Sequence, residues 1–418
     1  MKLYITPNSL KGTVKIIASK SLSHRYLIAA SLTSGASEID NLMVSDDIFA
    51  TKAALRQLGA KIDEPLIKGP LNLKEAITID AYASGSTLRF LIPIAYLFNQ
   101  FVTFIGRDRL PKRSLKVYET LFKQEGLLYE KLSHDELPLK IKGPLNASHF
   151  KIKGDVSSQF ISGLLFAASC LKNDTSIEII PPFESKPYVD LTVETLKDFN
   201  ISITEEPLRY TIKGNQTFKP VRKTIEGDYS QAAFFIVAAL IGEHPLVIKG
   251  LNEHSLQGDK AILEIVKAMG GSFNFNQGDL TVYPSLTHST TISLKNIPDL
   301  GPILMILAAL SKGTTIFKDI NRLRIKESDR ILAMEETLKK LGVPFKTFKD
   351  SMHVRGIKSF KVSNPFDSFH DHRIVMSLMV ASIKANQTIE ITHAEAINKS
   401  YPTFFDEWLK LGAIIKVR

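Results

Sequence analysis

Five stretches of the chain mix hydroxyls, cations and carboxylates in a way that suits the handling of small anions. The first reads Ser19-Lys20-Ser21-Leu22-Ser23-His24-Arg25. The second joins Ser84-Gly85-Ser86-Thr87-Leu88-Arg89 to Gly106-Arg107-Asp108-Arg109-Leu110-Pro111-Lys112-Arg113. The third holds Ser157-Ser158-Gln159 and Ser185-Lys186-Pro187-Tyr188. A fourth has Pro298-Asp299 and then Lys326-Glu327-Ser328-Asp329-Arg330, and the last has Asp371-His372-Arg373 and Lys399. An arginine fork can grip a carboxylate or phosphate through two parallel hydrogen bonds, whereas lysine supplies a point charge. Carboxylates set among such cations can take or give a proton. Each stretch also has a plain structural reading. Ser21 and Ser328 could cap helices, Arg330 could pair with Glu327 three residues back, and Lys20 and Arg25 could be solvated. Recurrence at equivalent places favours a common anion site.

Other chemistries fit poorly. The two imidazoles of His370-Asp371-His372, two residues apart, cannot share one helix face, and no further His/Cys cluster of ligand spacing lies nearby. Ser84-Gly85-Ser86 lacks the Gly-Lys-Ser/Thr of a phosphate-binding loop, and no GxGxxG opens a βαβ unit, so no nucleotide cofactor is expected. The formal net charge of +10 is dispersed rather than gathered into a basic arm, which favours anionic small substrates over nucleic acid. The single cysteine, Cys170, lies in an apolar run and reads as a small buried hydrophobe in a reducing compartment. With no apolar leader at the amino end and no run of membrane-crossing length, a soluble cytoplasmic protein is expected.

The elements that must position these residues are written six times. Polar turns near Ser19, Ser84, Ser157, Asp228, Asp299 and Asp371 recur about every 70 residues. Each leads into an apolar segment of helical length, a β-branched stretch and a second, amphipathic segment. Phe234 to Ile241 and Ile374 to Ile383 are apolar almost all round, as helices inside a domain are. The second segments Thr51 to Gly59, Thr192 to Phe199, Lys260 to Gly270 and Ile331 to Gly342 carry spaced apolar positions. In the last of these Ile331, Met334, Leu338 and Leu341 share a face. Ser176 to Ile180 and Thr388 to Thr392 read as strands. With 418 residues, two domains of three units each are expected, divided near Glu226-Gly227-Asp228. If each domain pointed three helix amino ends at the other, one cleft would collect anions.

Taken together and in this order, Ser19-Lys20-Ser21 through Arg25, Ser157-Ser158-Gln159-Phe160, Ser185-Lys186-Pro187-Tyr188, Glu226-Gly227-Asp228, Lys326 through Arg330, and Asp371-His372-Arg373 resemble the EPSP synthase family over essentially the whole length. The resemblance implies an α/β fold of two domains, an inside-out α/β barrel in which each domain sets three βαβαββ repeats around parallel buried helices. Residues 1–15 and 228–418 would form the domain carrying the chain termini and residues 16–227 the inserted one, with hinges at Lys11 to Ile16 and Glu226 to Asp228. It implies transfer of the enolpyruvyl group of phosphoenolpyruvate to the 5-hydroxyl of shikimate 3-phosphate through a tetrahedral adduct. No metal or organic cofactor, nucleic acid or membrane is implied, and the enzyme would be a monomer.

By the same resemblance, Asp299 is the base at the 5-hydroxyl, Glu327 gives the proton to the methylene carbon, and Lys20 assists. Shikimate 3-phosphate would be held by Lys20, Ser21, Arg25, Ser157, Ser158, Gln159, Ser185, Asp299 and Lys326. Phosphoenolpyruvate would meet Arg330 and Arg373 at its carboxylate, and Lys20, Arg109, Gln159 and Lys399 at its phosphate, with Gly85 close by. Two positions depart from the family pattern: Phe90 stands where many members have proline, and Arg322 where some have asparagine. Because Gly85 is kept, inhibition by glyphosate is expected. Two rivals fit less well. The sister enzymes acting on UDP-N-acetylglucosamine favour a loop cysteine and an early Lys-Asn pair, whereas here Lys20 precedes Ser21. An RNA-binding protein on related units would want aromatics beside its basic motifs.

Overall fold

The computed structural model describes residues 1–276 and 278–418. The chain forms two compact units, one of Met1–Ala18 with Glu226–Arg418 and the other of Ser19–Ile225. The crossings therefore fall after Ala18 and Ile225, a few residues from the expected 15/16 and 227/228. Local hydrogen bonds set them there: Ile16 N donates to Lys249 O and Asp228 N to Ile17 O, which ties Ile16 and Ile17 to the first unit.

One pattern repeats through both units. In the copy at the end of the second unit, strand His149–Lys153 leads to helix Ser158–Ala168, strand Thr175–Ile180, helix Lys186–Asp198, and strands Ile203–Glu206 and Arg209–Ile212. The first two strands pair in parallel, which needs a crossover helix, while the last pair is antiparallel and needs only a short turn. All six sheets have four strands with one parallel pair and two antiparallel pairings. Chain-distant strands complete three of them. Gly12–Lys15 runs parallel to Leu246–Lys249, Arg222–Thr224 runs parallel to Ala36–Asp40, and Lys2–Thr6 lies between Ile389–Thr392 and Ile414–Val417.

The helix after each polar turn is the buried one. Every residue of Tyr229–Ile241 is buried, as is every residue of His372–Ala381. Helices sit inside and sheets outside, so each unit is an inside-out α/β body. The amphipathic second helices cover the sheets with one face: Ile331, Met334, Leu338 and Leu341 are all fully buried. Five of the turns start where the sequence marks them. Ser19, Ser84, Ser157, Asp228 and Asp371 are the N-cap residues of five buried helices, each side chain accepting a hydrogen bond from the first turn. Two caps lie elsewhere than expected. Ser19 rather than Ser21 caps Lys20–Ser31, and Asp329 rather than Ser328 caps Arg330–Lys340, because those residues sit immediately before the helix and their side chains accept from its first-turn N–H groups. Among the described residues no helix is long and apolar enough to cross a membrane.

Candidate active site

In the first unit the starts of three buried helices come together around one carboxylate. Helix Gly301–Leu310 is entered through a 3-10 turn, Pro298–Leu300, with no side-chain cap. Asp299 is therefore not spent on capping, unlike Asp228 and Asp371. Arg330 Nη1 donates to Asp299 Oδ1 at 2.8 Å and Arg373 Nη2 to Oδ2 at 3.1 Å, while Lys326 Nζ lies 3.4 Å from Oδ1. Arg373 also reaches Ser230 Oγ at 3.1 Å and Asp299 O at 3.1 Å, which links the helices starting at Tyr229, Gly301 and His372.

Arg330 is the hub of this cluster. Its side chain is 1% exposed, and besides Asp299 it donates to Glu327 Oε2 at 2.8 Å and through Nε to Asp371 Oδ2 at 2.8 Å. The expected Glu327 pairing is real, but Glu327 precedes the helix rather than lying on it. Ser328 Oγ, no cap, donates to Asp371 Oδ2 at 2.9 Å. Burial works against the charge of Asp299, yet Arg373, Lys326 and Arg330 outweigh it and hold the carboxyl well below its usual range. Burial likewise opposes the charge of Arg330, and Asp371, Glu327 and Asp299 more than compensate. For Lys326 burial wins, helped by Arg322 and Arg330, and pushes the ammonium down to about 8 although Asp299 opposes. Arg322 is thus part of the cluster's electrostatics, buried in the 3-10 turn Asn321–Ile325 just before Lys326. Lys399 ends another 3-10 turn, Ala394–Lys399.

In the second unit the groups spread over three helix starts. Lys20 opens its helix and donates through Nζ to Asp47 Oδ2 at 3.0 Å. The backbone oxygen of Asp47 accepts from Thr87 Oγ1 at 3.3 Å, tying this start to the one at Gly85. Gln159 ties in the third, donating through Nε2 to Ser86 Oγ at 2.8 Å while Oε1 accepts from Arg89 Nη1 at 2.8 Å. Ser157 caps the Gln159 amide and Ser158 is buried beside it.

Arg25 is 2% exposed, and its hydrogen bonds run to neutral oxygens: Thr192 Oγ1 at 2.8 Å, Ser21 O at 2.7 Å, Ser162 Oγ at 3.5 Å and Tyr188 O at 2.5 Å. Burial pushes this guanidinium down to about 9, with Tyr188 opposing. A buried cation among neutral acceptors is suited to an incoming anion. Phe90 lies under it, 5.2 Å from ring centre to guanidinium, and also meets Phe166. Phe90 thus fills core space, and the helix Gly85–Ala95 forms with Phe90 in place of proline. Ser185 is buried and holds a left-handed backbone, φ 53°, at the start of Lys186–Asp198. His24, buried and hydrogen-bonded to Thr51 Oγ1 at 2.8 Å, is pushed down to about 3 by burial and is neutral.

Gly85 marks a residue that sequence reasoning passed over. A Cβ there would lie 2.8 Å from Arg113 Nη1 and 2.9 Å from Arg89 Nη1, so a larger residue would push the ends of both guanidiniums away. Arg109, expected near Gly85, is exposed and precedes the 3-10 turn Leu110–Lys112. The turn that follows carries Arg113 back toward the helix start, a reversal invisible in the sequence. Ser230, which meets Arg373, was marked only by its place after Asp228.

Comparison with known proteins follows the same outline. The family model described as EPSP synthase (3-phosphoshikimate 1-carboxyvinyltransferase) matches residues 5–408. The 3-phosphoshikimate 1-carboxyvinyltransferase of Clostridium novyi is 42% identical over 98% of this chain and 97% of its own. That of Clostridium kluyveri is 42% identical over 98% and 97%. Among solved structures, an EPSP synthase from Acinetobacter baumannii superposes with a TM-score of 0.83 at 24% identity, covering 100% of this chain and 99% of that one. The enolpyruvyl transferase NikO from Streptomyces tendae gives 0.77 at 16% identity, covering 99% and 98%. These two likenesses concern the fold.

Proposed function

The chain belongs to the EPSP synthase family, and from that premise we propose how its own residues move the enolpyruvyl group of phosphoenolpyruvate to the 5-hydroxyl of shikimate 3-phosphate. The observation that carries the assignment is the Asp299 carboxylate held by Arg330, Arg373 and Lys326, with Glu327 on the same guanidinium. Asp299 takes the hydroxyl proton as the oxygen bonds to C2 of phosphoenolpyruvate. Glu327, protonated, delivers its proton to C3. The Glu327 carboxylate then takes a proton back from C3 of the adduct as the C2–O bond to phosphate breaks, and Lys20 steadies the departing phosphate.

With three cations beside it, Asp299 is a weak base. Arrival of a carboxylate that engages Arg330 and Arg373 draws those cations away and raises its basicity. Shikimate 3-phosphate is held by Lys20, Ser21, Arg25, Ser157, Ser158, Gln159, Ser185 and Lys326. The phosphate of phosphoenolpyruvate is held by Lys20, Gln159 and Lys399, with Arg113 and Arg89 beside Gly85 in the place expected for Arg109. The enzyme works as a cytoplasmic monomer, a setting that suits its single cysteine, Cys170, which is exposed rather than buried as its apolar run suggests. The test is inorganic phosphate released by the purified chain with both substrates and a chelator present. Release should match the carboxyvinyl product and stop when either substrate is omitted. Release from phosphoenolpyruvate alone would overturn the scheme.

A further inference from the structure

The turn that delivers Asp371 and Arg373 is held by a pair of histidines outside the machinery described above. The rings of His370 and His393 stack with centroids 4.1 Å apart and planes 35° apart. His393 Nδ1 lies 3.2 Å from Asp367 Oδ1, which also accepts from Phe369 N at 2.7 Å. Ser368 Oγ donates to His393 O at 3.0 Å, and Asp371 N donates to Ser368 O at 2.9 Å. His370 directly precedes Asp371, the cap of its helix and the partner of Arg330. His393 directly precedes the 3-10 turn that ends at Lys399.

The backbone on both sides of the stack is unusual. Phe369, His370 and His393 all lie in the left-handed region, with φ of 54°, 53° and 56°. Histidine adopts this conformation more readily than most residues, but for Phe369 it is rare and persists only when the surroundings enforce it. An exposed histidine with no task would be free to relax, yet here two consecutive residues are held left-handed against a third across the stack.

We propose that the His370–His393 stack is a clasp that positions the phosphoenolpyruvate groups, fixing the turn that bears Asp371 and Arg373 to the turn that bears Lys399. This rests on the reading of Arg373 and Lys399 given above. The histidines are positioning residues; they touch neither substrate. Loosening the clasp shifts Asp371, and with it the caps and hydrogen bonds that aim both Arg373 and Arg330. Shikimate 3-phosphate, held mainly from the second unit, is indifferent to it.

The test compares His370→Asn and His393→Asn, each of which removes one ring but tolerates a left-handed backbone, with the variant carrying both changes. Arg373→Gln serves as control. The expected result is a rise of about fivefold or more in KM for phosphoenolpyruvate in His370→Asn, with KM for shikimate 3-phosphate within twofold. His393→Asn should give the same rise, and the double variant no more than either single one. If Arg373→Gln raises the same KM and His370→Asn does not, the clasp is overturned while the reading of Arg373 stands. If Arg373→Gln leaves it unchanged, that reading falls and the clasp with it. Equal rises in both KM values, or a double variant whose rise is the product of the two single rises, also overturn the clasp.

Discussion

At the scale of single residues, the account turns on which cation meets which anion. Arg113 and Arg109 lie four positions apart, and only the fold shows that Arg113 approaches Gly85 while Arg109 faces solvent. Arg113→Gln should raise KM for phosphoenolpyruvate roughly 10- to 100-fold, the loss of one or two charged hydrogen bonds. Arg109→Gln should stay within about twofold, and steady-state kinetics on the two variants decides between them. Lys326 makes a pH prediction. Its ammonium, pushed down to about 8, loses charge as pH rises through that value, so KM for shikimate 3-phosphate should climb above pH 8. Lys326→Arg should move that limb upward in a pH profile. The stability consequence has the opposite sign: between pH 8 and the unfolded lysine value the unfolded chain binds the extra proton, so this group's contribution rises with pH there.

At the scale of elements, the helix starts do most of the positioning. Five polar turns were readable from sequence because Ser and Asp before an apolar run serve as N-caps, and the period of the repeat showed that there were six. What could not be read was the side-chain reach across helices. Arg373 touching Ser230, 143 positions away, and Gln159 touching Ser86, 73 positions away, depend on helix packing that local pattern does not encode. The caps at Ser19 and Asp329 instead of Ser21 and Ser328 show the same limit within a turn, where a shift of one or two residues changes which oxygen meets the first N–H groups. Gly85 gives the test at this scale. Gly85→Ala would place a methyl within 3 Å of Arg113 and Arg89, so KM for phosphoenolpyruvate should rise several-fold and the inhibition constant for glyphosate more steeply. Kinetics with and without glyphosate checks both, and an unchanged response would show that the space at Gly85 is not used.

At the scale of the whole molecule, the two units divide the chemistry. The unit of Met1–Ala18 and Glu226–Arg418 holds Asp299, Glu327, Arg330 and Arg373, and the unit of Ser19–Ile225 holds Lys20, Arg25, Gln159 and the serines. The repeats read in the sequence count to three on each side of Glu226, and strand Gly12–Lys15 pairs with Leu246–Lys249 in the unit that holds the later three. Sedimentation should return the mass of one chain; a dimer would contradict the monomer reading. The central assignment, proton delivery to carbon by Glu327, is tested most directly by hydrogen exchange at C3 of phosphoenolpyruvate in deuterated water. With shikimate 3-phosphate present, the parent chain should place solvent deuterium in the methylene of the product and of recovered phosphoenolpyruvate. Glu327→Gln should lose that incorporation by about 100-fold or more while still binding shikimate 3-phosphate. Incorporation by Glu327→Gln at the parent rate would contradict the account.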